Sequence, residues 1–266
     1  MMKQEEAYSD FQHLNGDIPN TSPKSSKTGA LRLVDLFLQS DTASVFPNIP
    51  KEVFVKDLKA HLTNPTSIQQ GGNGTCGAAA LLKYMVEEHP LLYVRTAIAL
   101  YSRGFFSNNG VMLGLPNEAF SGNMKDLRRL GINTVDAIMQ GALTNSQNLF
   151  LRYNPFQDGS GARSFMWPGR FVYLVRRFVG AKCGFRFLPT TRYIESMDHT
   201  HHYVVGVVHT KFASPIYSGF PNHYIQILKA EKGILDYWSW GWNYAGASVK
   251  LPFWNGFFMV ISISID

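Results

Sequence analysis

Among the side chains able to do chemistry, Cys76 has the most informative surroundings. It follows the glycine-rich approach Ile68-Gln69-Gln70-Gly71-Gly72-Asn73-Gly74-Thr75 and opens Gly77-Ala78-Ala79-Ala80-Leu81-Leu82, a run that favours a helix. A cysteine at a helix N-terminus sits among backbone amides that lack an intrahelical partner, and the helix dipole there favours negative charge. Both effects favour the thiolate, the form of cysteine that acts as a nucleophile. The glycines let the main chain approach a bound carbonyl closely, and the Cys76 amide would face the oxygen as charge develops on it. The plain alternative is a small hydrophobe packed at a helix start.

A thiol attacking a carbonyl needs a base to take its proton and return it to the leaving group. His223 opens the apolar strand Tyr224-Ile225-Gln226-Ile227-Leu228, and the short turn Ala230-Glu231-Lys232-Gly233 leads to a second strand ending Asp236-Tyr237-Trp238-Ser239-Trp240-Gly241. His202 is the rival base, opening Tyr203-Val204-Val205-Gly206-Val207-Val208 after Asp198-His199-Thr200-His201. Asp236 is the nearest carboxylate able to orient an imidazole, with Asn243 or a backbone carbonyl as substitutes. The His199, His201, His202 and Asp198 cluster suggests a metal less than a strand start. His201 and His202 would point to opposite faces of a strand, and no helical His-x3-His pair supports them. No metal or other cofactor is expected, and no P-loop or GxGxxG supports nucleotide binding.

Several of these features together resemble the papain-like cysteine peptidase superfamily: Gln70 six residues before the cysteine, the glycine-rich approach, Cys76-Gly77 opening a small-residue helix, then a histidine strand, hairpin and Ser239-Trp240-Gly241. The resemblance implies that Cys76 attacks an amide or peptide carbonyl, that Gln70 and the Cys76 amide hold the oxyanion, and that His223 protonates the leaving amine before water releases the acyl-enzyme. In that superfamily the orienting residue stands directly before Ser-Trp-Gly, a slot filled here by Trp238, so Asp236, two residues earlier on the same strand face, is the expected replacement. An aromatic in this region shields the histidine in papain-like folds, which suits Trp238 or Trp240. Gly77-Ala78-Ala79 looks more like the bacterial branches that process leader peptides or act as effectors. The implied substrate is a peptide, a protein or peptidoglycan. A cell-wall amidase, deamidase or acyltransferase effector of the same fold is an alternative, and a catalytically degenerate binding module is another.

The elements that must position these residues are legible in the apolar spacing. Through residue 180 or so it is helical, as in ALRLVDLFLQS, KEVFVKDLKAHL and NTVDAIMQGAL, and after residue 183 it turns to short β-rich runs, FRFLP, YVVGVVHT, HYIQILKA, ILDYWSWG, ASVKL and FFMVISISI. Helices followed by antiparallel strands predict an α+β fold of papain-like type, with residues 1–28 a flexible polar tail and 29–266 a single domain. With 45% hydrophobic and 17% charged residues there is ample material for a core. The net charge of +6 favours an acidic partner, but Lys125, Arg128, Arg129 and Arg170, Arg176, Arg177 read as solvated helix faces, and with no nucleic-acid motif nearby nucleic acid is not an expected partner. Two cysteines imply no disulfide framework and suit a reducing compartment. A polar, acidic N-terminus predicts no secretory signal, hence a cytoplasmic enzyme or an effector delivered by a specialised secretion system. No apolar stretch reaches the roughly 18–20 residues of a membrane span, so no integral membrane association is expected.

Overall fold

A computed structural model describes residues 23–146, 152–159, 163–209, 222–239, 242–247 and 257–265. Helix α1 (Pro23–Gln39) buries Ala30, Leu33, Val34 and Phe37, the i, i+3, i+4, i+7 stripe of an amphipathic helix. It takes in the last six residues of the predicted tail, 23–28. Proline tolerates the first helical turn because its missing N–H would be unpaired there, and the polar KSSKTG stretch simply fills that turn and the next. The rest of the predicted tail, residues 1–22, lies outside the described residues.

Helix α2 (Lys51–Thr63) buries Phe54, Val55, Leu58, His61 and Leu62. Helix α3 (Cys76–Glu88) is the centre of the layer, buried from Cys76 to Val86. Helix α4 (Pro90–Arg103) ends on Gly104 at φ 80°, where a β-carbon would lie 2.5 Å from the Phe120 ring. A hairpin then interrupts the helical half: β1 (Phe105–Asn108) pairs antiparallel with β2 (Val111–Gly114) through Asn109 and Gly110, at φ 48° and 75°. Two positive-φ residues in a two-residue loop are what an Asn-Gly turn supplies. Helices α5 (Met124–Leu130) and α6 (Thr134–Asn145) are capped by Asn123 and Asn133, and α7 (Pro168–Tyr173) runs on as a π-helical segment, Leu174–Val179.

The second half is an antiparallel sheet. Strands β3 (Cys183–Phe187), β4 (His202–Val208), β5 (His223–Glu231), β6 (Ile234–Ser239), β7 (Trp242–Ala247) and β8 (Phe257–Ser264) stand in the order β3-β8-β4-β5-β6-β7. The predicted strand ASVKL falls mostly at 248–251, outside the described residues, and the observed β7 precedes it. The fold is therefore α+β, helices first and antiparallel sheet second. One continuous apolar core runs from Ala30 and Phe37 through α3 to Val205, Tyr224, Trp238 and Ile261, so the helical layer and the sheet share it. The sheet's other face carries a smaller core of Val204, Val208, Ile225, Ile227, Leu235 and Val260, covered by Ile194 of the short helix α8 (Thr191–Glu195). Among the described residues no helix is long and apolar enough to cross a membrane.

Candidate functional site

The loop that delivers Cys76 is held from two sides. Gly71 takes φ 55° where a β-carbon would lie 2.3 Å from the Leu130 carbonyl oxygen, so only glycine fits. The next amide, Gly72, donates to that same carbonyl at 2.7 Å, and the Asn73 side chain donates to the Pro155 carbonyl at 3.1 Å. From below, α6 grips both ends of the loop. Asp136 accepts from the Gln69 amide at 3.0 Å, while Gln140 donates to the Gln69 carbonyl at 2.7 Å and accepts from the Thr75 hydroxyl at 2.5 Å. Asp136 also accepts from Asn133 at 2.7 Å and from Gln140 at 3.0 Å, and lies 3.4 Å from the His61 ring, whose Nδ1 meets the Tyr93 hydroxyl at 2.6 Å. Asp136, Gln140, Thr75 and His61 are fully buried. A buried carboxylate survives only when its oxygens are met in this way. Nothing in the sequence marks the polar residues of α6 as interior.

With its hydroxyl committed to Gln140, Thr75 makes no side-chain cap on α3, and the amides of Cys76 and Gly77 act on the Cys76 sulfur instead. The thiol lies against the first residues of β5. Its sulfur bonds the Asn222 carbonyl at 3.8 Å, and the Tyr224 amide is directed at it. Cys76 is only 5% exposed, and burial pushes the thiol up to about 11, outweighing the pull of the three amides. The thiolate expected at this helix start is thus a neutral thiol in the described conformation.

His223 is 3% exposed, and burial pushes its imidazole down to about 3. Its Nε2 meets the Ser239 hydroxyl at 2.6 Å. Tyr224 and Gln226 face α3: the Tyr224 ring lies 3.1 Å from where a Gly77 β-carbon would be, and Gln226 accepts from Lys83 at 2.6 Å. Strand alternation therefore gives His223 the phase of Ile225 and Ile227, on the side of the smaller core. The sulfur meets the main chain on either side of His223 and is not bonded to the ring.

No family model, no curated protein and no solved structure matches this chain.

Of the remaining predicted site residues, Gln70 is on the clamped loop, and its side-chain oxygen is buried without a hydrogen-bond partner among the described residues. Asp236 is not brought to His223. The two-residue turn Lys232-Gly233, with φ 51° and 75°, sets the β5–β6 register so that Asp236 pairs with Lys229, six residues along β5 from His223 (223 to 229), or roughly 20 Å. Ser239, at the far end of β6, takes the place beside the ring; the sequence points to Asp236, Asn243 or a backbone carbonyl and offers no reason to prefer a hydroxyl. His202 is not brought to Cys76 either. It pairs with Ser264 at one end of β4, while Val208 at the other end pairs with His223. Its neighbours His201 and Asp198 form an exposed pair at 2.7 Å. Among the described residues no three His, Cys, Asp or Glu side chains are grouped to hold a metal.

Trp238 is buried on the α3 face, its ring under the Lys83 ammonium at 5.5 Å, so it does not cover the His223 and Ser239 pair; Trp240 lies outside the described residues. Asn243 pairs with Trp238 across β6 and β7. A cavity of about 520 Å³ lined by Arg103, Phe105, Met112, Leu115 and Phe120 shares no residue with α3 or β5.

Proposed function

We propose that this chain is a papain-like cysteine hydrolase acting on an amide or peptide bond, with Cys76 as nucleophile, His223 as base and Ser239, in place of Asp236, as the group that fixes the imidazole. The observation that carries this reading is the seat of the Cys76 sulfur against the main chain on both sides of His223, at Asn222 and Tyr224, with a hydroxyl held on the ring. In this mechanism the His223 ring takes the thiol proton as sulfur attacks the carbonyl carbon. The oxyanion is met by the Cys76 amide and the Gln70 side-chain amide. Collapse of the tetrahedral species breaks the C–N bond, the imidazolium gives its proton to the leaving amine, and water then cleaves the thioester. A thiol near 11 cannot pass its proton to an imidazole near 3, and burial is the leading cause of both values. Turnover therefore requires a second conformation, reached by the free protein as well, in which the other nitrogen of the ring faces the sulfur, Ser239 keeps its hold on Nε2 and the pair has polar surroundings. The substrate class is a peptide, a protein or peptidoglycan, with deamidation or acyl transfer available to the same acyl-enzyme, and no cofactor takes part.

The phase of His223, on the side of Ile225, favours a second reading, a binding module that keeps the scaffold without the chemistry. Iodoacetamide alkylation of Cys76 as a function of pH, followed by mass spectrometry in a Cys183→Ala background, separates the two. For a hydrolase, Cys76 reacts well below the free-thiol pKa of about 8.5. That reactivity is lost in His223→Ala, reduced in Ser239→Ala and unchanged in Asp236→Ala and His202→Ala. If Cys76 instead reacts only as pH approaches 11 in every variant, the binding module is the better account.

A further inference from the structure

Among the described residues strand β3 forms one edge of a six-stranded sheet and pairs with β8 alone. Ser264 donates to the Lys182 carbonyl and Leu188 to the Phe258 carbonyl, each at 2.9 Å, which fixes the even-numbered residues as those that bond β8. The main-chain groups of Cys183, Phe185 and Phe187 therefore point out of the sheet. At Cys183 the carbonyl is occupied by the Arg176 guanidinium at 2.6 Å. Phe185 and Phe187 each present an N–H and a C=O outward, spaced as a further strand would need them.

The side chains around this edge are unusual for an unprotected one. Phe185 is 49% exposed, Phe187 54% and Leu188 71%. Phe185, Phe187 and Phe258 form a ladder of edge-to-face contacts, each 5.5 Å between centroids. Lys182, directly before the strand, and Arg186 on it are exposed, Arg186 lying over the Tyr193 ring at 4.4 Å. The chain from 159 to 194 carries seven basic residues and no carboxylate.

We infer that β3 is a docking edge for an extended acidic segment of a partner protein, added to the sheet as a further antiparallel strand. Phe185 and Phe187 supply the main-chain pairs. Apolar side chains at alternate positions of the incoming strand rest on the phenylalanine ladder, and its carboxylates meet Lys182, Arg186 and Arg176. A second copy of this chain fits poorly, because edge-to-edge pairing would set the same basic residues against one another.

The test uses the full chain and a short fluorescent peptide of alternating glutamate and valine, followed by fluorescence anisotropy. Binding is expected and weakens as salt is raised. Phe185→Pro and Phe187→Pro each remove an outward N–H while leaving the bonds to β8 in place, so the melting temperature holds and affinity falls by about tenfold or more. Arg186→Glu, which leaves the backbone untouched, also weakens binding. The proposal is overturned if the peptide does not bind, if the matching lysine and valine peptide binds as well, or if neither Phe187→Pro nor Arg186→Glu changes affinity. Light scattering that reveals a dimer abolished by Phe185→Pro also overturns it, in favour of a second copy.

Discussion

At the scale of single residues, burial decides the state of both Cys76 and His223. The amides at the start of α3 act on Cys76 as helix-terminus chemistry predicts, yet desolvation is larger and the thiol stays protonated. The same cause keeps His223 neutral. A base with a depressed folded pKa binds fewer protons folded than unfolded, so stability falls as pH drops from its ordinary 6.5 towards about 3, by about 1.4 kcal/mol per pH unit at most. His223→Gln should flatten that acid limb in urea melts run at stepped pH, an outcome that loss of packing alone would not produce. Ser239 matters for a different reason: its hydroxyl satisfies a buried ring nitrogen.

At the scale of elements, α6 is the part that holds the candidate nucleophile still. Its Asp136 and Gln140, one turn apart, face the loop before α3 and bond Gln69 and Thr75 at its two ends. Gln140→Ala removes the bonds to both ends and leaves buried partners unmet, which costs about 1–3 kcal/mol. Hydrogen exchange at residues 69–75 should quicken in this variant while the amides of α1 and α2 keep their protection. Uniform loss of protection over every helix would mean that the clamp serves global stability and not the loop.

At the scale of the whole molecule, the seam between helical layer and sheet contains a buried cation. Lys83 of α3 bonds Glu87 at 2.5 Å and Gln226 of β5 at 2.6 Å, and burial holds its pKa below the ordinary range. Truncating it strands Gln226 and leaves a hole, so Lys83→Ala should lose about 1–3 kcal/mol. Lys83→Met also strands Gln226 but fills the hole, so whatever stability it recovers over Lys83→Ala measures the lost volume alone. Comparing the two melting temperatures shows whether the seam depends on charge or on volume. Equal losses in both variants would assign the role to the ammonium.

The one-dimensional pattern of this chain was enough to determine the order of its layers. Helical spacing before Gly180 and short β-rich runs after Cys183 report burial along single elements, and so does the placement of Cys76 at a helix start. The hairpin at Asn109-Gly110 is missed: the dipeptide suits positive φ, but the region reads as part of a helical half. What depends on two elements at once was decided only by the tertiary structure. The opening residues of β5, His223 to Ile227, are buried on both faces, so no alternation of polar and apolar residues tells which way His223 points. The choice of Ser239 over Asp236 follows from the two-residue turn and the irregularity between Ile227 and Lys229, which together set the register. Asp136 and Gln140 look like surface residues until the loop they bond is brought against α6. Periodicity records how deeply a residue is buried, and only packing records against what.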